Sequence, residues 1–344
     1  MVQLLNVGSR TIGPKYPVFV VAELSANHKS RLDRAHHIID AAADAGCDAV
    51  KLQTYTAETL TIKSRKKWCR VKGTKLWDGK TLFALYQEAS TPWSWHKELQ
   101  EHAKKRGLIF FSTPFDSTSV DFLEKLQVPL YKVASFEAED TPLLTSIGKT
   151  SKPVIVSRGL SDFAGIKQTI NTLYKNNTPA VAVLHCVSNY PAKPETMNLS
   201  HIPQIAADFD VVSGLSDHAL TPHVSLAAVS LGASIIEKHL TLKRRDGGPD
   251  AAFSMEPEEM KQLVWEIRRI ENWDQEKKKS YLEKIPHSSA MIGKSSYVLS
   301  DEDLKNASFK RSLFVVSRIK KGDIFTKRNI RSIRPGFGLA PRYY

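Results

Sequence analysis

Cysteine is scarce in this chain. Three thiols in 344 residues, Cys47, Cys69 and Cys186, cannot build the disulfide framework of a small secreted fold, so a reducing, cytoplasmic setting is the expectation. Long apolar runs are missing as well. None comes near the ~20 residues a membrane-spanning helix needs, so no membrane association is expected. The opening VQLLNVGSRTIGPKY is too polar for a secretory leader. No G-x-G-x-x-G follows an apolar run, which argues against a dinucleotide-binding fold. A recognised nucleic-acid motif is also lacking. The formal net charge of +13 sits mainly in KSRKKWCRVKGTK (63–75), KRR (243–245), KKK (277–279) and the region after Lys305. Without a motif, that charge fits a solvated surface, or steering of an anionic small substrate, better than a nucleic-acid partner.

What is present is alternation. A hydrophobic fraction of 42% and a charged fraction of 25% suit a globular protein. Eight apolar, β-branched runs occupy 18–23, 48–54, 108–113, 129–135, 153–159, 180–188, 210–216 and 234–240. Amphipathic helical patterns separate them, two of which, at 32–46 and 94–107, stop at a glycine. Eight strands alternating with helices predict a parallel (β/α)8 TIM barrel over residues 1–275. Residues 276–306 are charged and irregular in pattern and read as a linker. Residues 307–344 carry short β-like runs and a KKGD turn, which predicts a small β-rich module. Fewer than ~40 residues rarely fold alone, so this module must dock on the barrel or on a second subunit.

The C-terminal ends of barrel strands carry catalytic groups, and here nearly every run ends in polar residues. Any single one has a bland explanation: a lone histidine is usually a satisfied core or surface group. The joint pattern is harder to dismiss. Lys51 and Lys132 interrupt apolar runs where an unpaired charge is costly. With the hydroxyls at neighbouring strand ends they suit a phosphate or carboxylate. His218 and His239 end adjacent runs and could hold a borderline divalent metal such as Mn²⁺ or Zn²⁺. A metal beside an anion cradle suggests metal-assisted chemistry on a phosphorylated substrate.

The blocks VAELSANH, AGCDAVKLQTYT, FFSTPFD, YKVASFE, LHCVSNYPA, GLSDH, LGASIIEKHLTL, GGPDAAFS and RSIRPGFGL, in this order, resemble the sialic acid synthase family, whose members condense phosphoenolpyruvate with an amino-sugar aldehyde. The spellings SANH, KLQTYT, EASTPWSWH, KVASFE and RSIRPGFGL are most similar to the pseudaminic acid branch, which uses a 6-deoxy-2,4-diacetamido hexose. The neuraminic and legionaminic acid branches, or a sugar-binding barrel without turnover, are the alternatives. The resemblance implies a divalent metal on His218 and His239, usually Mn²⁺, with Mg²⁺ or Co²⁺ also compatible. It implies phosphoenolpyruvate contacts from Lys51, Thr113, Lys132, Ser135, Ser157 and Ser216, with Ser188 where relatives often carry asparagine. Glu23 would handle water and protons. Gln53, Glu137, Tyr190 and Asp250 would surround the sugar. Arg334, in an antifreeze-like (SAF) module shorter than the family's by about thirty residues, would reach a partner's barrel in a domain-swapped homodimer. The family's Ser-Thr-Gly-Met reads Ser157-Arg158-Gly159-Leu160 here, and Arg158 would add an anion contact or crowd the mouth.

Overall fold

The computed structural model describes residues 2–72, 76–299 and 301–344. Gly73, Thr74 and Lys75 of the first basic run, and Ser300 of the expected linker, lie outside the described residues. A short antiparallel hairpin, β1 (Leu5–Val7) and β2 (Arg10–Ile12), precedes the barrel. Eight parallel strands then close on themselves: β3 (Phe19–Glu23), β4 (Ala49–Thr54), β5 (Ile109–Pro114), β6 (Tyr131–Val133), β7 (Val154–Ser157), β8 (Val181–Cys186), β9 (Val212–Asp217) and β10 (Ile235–His239). The neighbours follow chain order, and β10 pairs with β3 to complete the ring. All eight expected strands are present. β6, β7 and β8 stop earlier than their apolar runs, because the chain leaves the ladder where the strand-end loops begin.

The period of two explains where the site sits. In each strand alternate residues face the barrel axis, and those inward columns change character on the way up. Phe19 and Val21 lead to Glu23, Ala49 to Lys51 and Gln53, Phe111 to Thr113, and Leu130 to Lys132. Ile155 leads to Ser157, Val212 to Ser216, and Ile235 to Glu237 and His239. The lower residues form one buried apolar cluster, with Leu5, Val7 and Ile12 of the hairpin plugging its base. Gly214 lies in the β9 column. A Cβ there would sit 2.3 Å from the Ile235 carbonyl oxygen, so the strands approach too closely for any side chain. Outward residues such as Val20, Ala22, Val50 and Leu52 pack against the helices. The strands are thus buried on both faces, as parallel strands require.

The outer helices are amphipathic. Leu32–Asp44 buries Ala35, Ile38, Ile39 and Ala42, and Pro257–Ile270 buries Met260, Leu263, Val264, Ile267 and Ile270. Among the described residues no helix is long and apolar enough to cross a membrane. Residues 276–306 depart from the irregular linker expected. Helices span Gln275–Lys284, Ser288–Ile292 and Asp301–Asn306. Asp274 caps the first through the Lys277 amide, and Leu282, Ile285 and Met291 pack into the outer core. Beyond them β11 (Ser312–Val315) pairs antiparallel with β12 (Ile330–Ile333). A two-stranded ribbon is marginal alone, and this one lies over the barrel mouth of its own chain.

Candidate active site

The polar ends of the inward columns open into one cavity of about 140 Å³ at the C-terminal mouth. Its floor is a buried charge cluster. The Lys51 ammonium contacts a Glu23 carboxylate oxygen, donates to Thr113 Oγ1 at 3.1 Å and lies 3.6 Å from Glu237. Lys132 donates to Ser157 Oγ at 2.6 Å and lies 3.8 Å from the same Glu237 oxygen. Ser216 is 3.5 Å from it. Two ammonium groups therefore face two carboxylates in a site almost closed to water, and this mutual pairing offsets the desolvation of each charge. Burial pulls Lys51 down to about 8; Glu237 opposes this, and Lys132 adds to it. With Glu23 in contact as well, Lys51 remains an ammonium at neutral pH. Burial works against the charge on Glu237, but Lys132 and Lys51 hold it below the usual carboxylate range.

Across the cavity the His218 and His239 rings lie 5.4 Å apart, centroid to centroid. Burial lowers His218 to about 4, against the opposing pull of its Val187 carbonyl contact, and lowers His239 well below 6.5, with His218 and Lys51 adding to the effect. Both imidazoles are neutral at physiological pH and carry a free lone pair. His218 Nδ1 is 3.1 Å from the Val187 carbonyl oxygen, so it is the donor nitrogen, and Nε2 keeps the lone pair. His239 Nδ1 is buried without a hydrogen-bond partner. A ring donating to a carbonyl is the usual support of a metal-ligating histidine, and the unpartnered His239 Nδ1 is a buried polar atom that lacks a partner. The pair therefore fits a divalent ion. Among the described residues no group of three or more His, Cys, Asp or Glu could hold a metal, so an ion here would complete its shell from water and substrate.

The upper wall is largely apolar. Leu60, Tyr86, Phe115, Phe253, Trp77 and Phe309 line it, with Gln53, Tyr190, Asp250 and Arg334 as the polar exceptions. Asp250 accepts from Ser25 Oγ at 2.5 Å and from the Ala26 amide at 3.2 Å, and Gln53 donates to the same Ser25 hydroxyl at 2.9 Å. Burial raises Asp250 despite these bonds. Trp77 is fixed by its indole N–H on the Pro249 carbonyl, 2.9 Å away.

Of the residues singled out from the sequence, all but Ser188, Glu137 and Arg158 line this cavity. Ser188 lies behind the wall, 2.9 Å from Ser135 Oγ, and steadies a hydroxyl that does face inward. Gly159 makes the close packing possible: its φ is +40°, and a Cβ would fall 2.2 Å from Ser135 Cβ. Glu137 sits on the turn Ser135–Glu137 that follows β6, which carries it out of the inward column. Its oxygens receive Arg334 at 2.7 and 2.9 Å and Arg311 at 3.0 Å. It holds the C-terminal ribbon and does not face the cavity. Arg334, expected in a partner's barrel, enters the barrel of its own chain. Its amide donates to the Leu60 carbonyl, its carbonyl accepts from Thr61, and its guanidinium donates to the Tyr86 hydroxyl at 3.0 Å. Ribbon and mouth are close enough in one chain for this seating. Arg158 neither joins the anion cradle nor crowds the mouth; it donates to the Ser161 carbonyl and lies over Tyr297.

Sequence reading puts Glu237 at a strand end without a specific role, and does not place Trp77 and Phe309 in the site. Alternation with His239 points to Glu237. Trp77 and Phe309 come from irregular segments whose approach to the mouth has no sequence period.

Comparison with known proteins finds relatives over nearly the whole chain. The profile of the NeuB family matches residues 38–279. The pseudaminic acid synthase of Helicobacter pylori is 39% identical over 329 residues, covering 95% of this chain and 91% of its own length. That of Campylobacter jejuni is 38% identical over 327 residues, covering 95% and 90%. The crystal structure of the spore coat polysaccharide biosynthesis protein SpsE from Bacillus subtilis is similar with a TM-score of 0.83 at 33% identity, over 99% of this chain and 92% of that one.

Proposed function

We propose, from the premise that this chain belongs to the NeuB family and is an enzyme of that family, that it condenses phosphoenolpyruvate with a 6-deoxy-2,4-diacetamido hexose and water to give pseudaminic acid and phosphate. The observation that carries this reading is the juxtaposition, at one barrel mouth, of a two-lysine cradle and two neutral imidazoles. Lys51, Lys132 and the hydroxyls of Thr113, Ser135, Ser157 and Ser216 would hold phosphoenolpyruvate. Gln53, Tyr190, Asp250 and Arg334 would orient the sugar. The aromatic upper wall suits a sugar bearing methyl groups at two acetamides and at C6. Three buried free thiols suit a reducing, cytoplasmic setting. Exchange of the C-terminal ribbons between two copies would make the same contacts in trans, and we retain a homodimer as part of the proposal.

The mechanism follows from the charge balance of the floor. An incoming phosphate competes with Glu23 for Lys51. A buried carboxylate that loses its ammonium partner gains proton affinity, which lets Glu23 hold and move a proton at its freed oxygen. The cradle aims C3 of phosphoenolpyruvate at the aldehyde carbon, and holding both reactants in attack geometry contributes ~7–11 kcal/mol. A divalent ion on His218 and His239, Mn²⁺ as the family resemblance implies, would supply Lewis-acid polarisation of the aldehyde oxygen. The new C–C bond leaves C2 electron-poor. Water steered by Glu23 adds there, and the C2–O bond to phosphate then breaks, releasing phosphate and leaving a nine-carbon 2-keto acid.

The sugar assignment is tested by offering equimolar acetamido sugars together with phosphoenolpyruvate and Mn²⁺, and weighing the products. The diacetamido 6-deoxy product should dominate. A product from N-acetylmannosamine in excess would move the assignment to the neuraminic branch.

The neutral histidines lead to a pH prediction. Two ordinary histidines of pKa about 6.5 would lose on the order of tenfold in metal affinity between about pH 7.5 and 6, because protons compete for both lone pairs. With both depressed by burial, Mn²⁺ affinity should change less than about twofold over that range and weaken only as the pH approaches the depressed value of His218, about 4. Titration of Mn²⁺ binding by electron spin resonance at several pH values checks this.

A further inference from the structure

His218 and His239 share a neighbour on the far side of the barrel wall. Alternation turns Asp217 and Lys238 outward while the histidines that follow them turn inward. The two are register partners on β9 and β10. The Lys238 ammonium lies 2.8 Å from Asp217 Oδ2, and both side chains are completely buried. Both members of the pair have further partners. Asp217 Oδ2 also accepts from Ser225 Oγ at 2.6 Å, and Oδ1 accepts from the Ala219 amide at 2.8 Å. Lys238 also donates to the Ala219 carbonyl. One ammonium therefore ties down the residue before His218, the residue after it and the residue before His239.

We infer that Asp217 and Lys238 are positioning residues that set the spacing and direction of the two imidazoles for a divalent cation. The inference rests on the reading of those histidines as metal ligands. Stability alone explains the pair poorly. Burying two charges costs much of what their attraction returns, and well-packed apolar replacements for such pairs are often neutral or stabilising. Geometry explains it better. Two ligands on separate strands hold an ion only if the strands keep a fixed offset, and the pair cross-links them one residue below the ligands. Loss of an outer partner of a metal ligand usually weakens binding by roughly 10–100-fold.

The test uses the double variant Asp217→Asn/Lys238→Met, which keeps a polar group for Ser225 and fills the lysine stem with an unbranched chain. Mn²⁺ alone is the probe, titrated by electron spin resonance, with metal-free thermal unfolding in parallel. The expected result is an unfolding temperature within a few degrees of the parent and an Mn²⁺ Kd raised about tenfold or more. Ser225→Ala, which removes one bond to Asp217, should raise Kd by about two- to fivefold and serves if the double variant does not fold. An unchanged Kd in either folded variant overturns the inference. His239→Ala separates the two readings. If it abolishes Mn²⁺ binding while the double variant binds like the parent, the positioning role fails and the metal site stands. If it binds like the parent, the metal site fails and the positioning role falls with it.

Discussion

His239→Ala is expected to lower kcat by about 10³-fold and to leave a residual rate that no longer responds to Mn²⁺ or to chelator. On the proposed mechanism, charge stabilisation of several kcal/mol at the aldehyde oxygen would depend on the two imidazoles, and each ~1.4 kcal/mol is a factor of ten in rate. Among the described residues no group of three or more His, Cys, Asp or Glu could hold a metal, so removal of one imidazole would leave His218 alone to hold an ion. His239 Nδ1 has no hydrogen-bond partner to lose, so the metal-free protein should unfold near the parent temperature. Phosphoenolpyruvate, on the proposed cradle of Lys51 and Lys132, would contact the other side of the floor and should bind as before. A folded variant with full, chelator-resistant activity would remove the metal from the account.

Glu23→Gln is expected to reduce kcat by about 10²–10⁴-fold, the range lost with a positioned proton-transfer group. The structure adds a second expectation that distinguishes catalysis from packing. Glu23 contacts Lys51 in the free enzyme, so the neutral amide leaves Lys51 with Glu237 as its remaining carboxylate. The lysine is then freer to meet a phosphate. The KM for phosphoenolpyruvate should hold steady or fall while kcat collapses. Measured by phosphate release at saturating sugar, a parallel rise in KM would instead make Glu23 a structural member of the cradle.

Much of this was legible before the structure, for a simple geometric reason. A parallel barrel buries its strands on both faces, so a lysine or glutamate near the end of an apolar run has to face either a partner or the mouth. Glu23, Lys51, Lys132, His218 and His239 all follow that rule. Legibility ended where the ladder did. Glu137 lies only five residues beyond Lys132, yet the intervening turn sends it to Arg311 and Arg334. The hairpin at Leu5–Ile12 has strands of three residues, too short to show a period of two. The helices within 275–306 were hidden because their buried residues, Leu282, Ile285 and Met291, are few among lysines and glutamates. The seating of Arg334 in its own barrel depends on the path of the ribbon, which local pattern does not encode.

The central claim is that one barrel mouth joins two substrates and splits a C–O bond. It is tested most directly with phosphoenolpyruvate labelled with ¹⁸O in the bridging position, incubated with the protein, Mn²⁺ and the diacetamido 6-deoxy sugar, followed by mass spectrometry of both products. The account predicts equal amounts of phosphate and a nine-carbon 2-keto acid, with the label in the phosphate and no turnover when the sugar is omitted. Label retained in the keto acid, or phosphate released at the same rate without sugar, would contradict it.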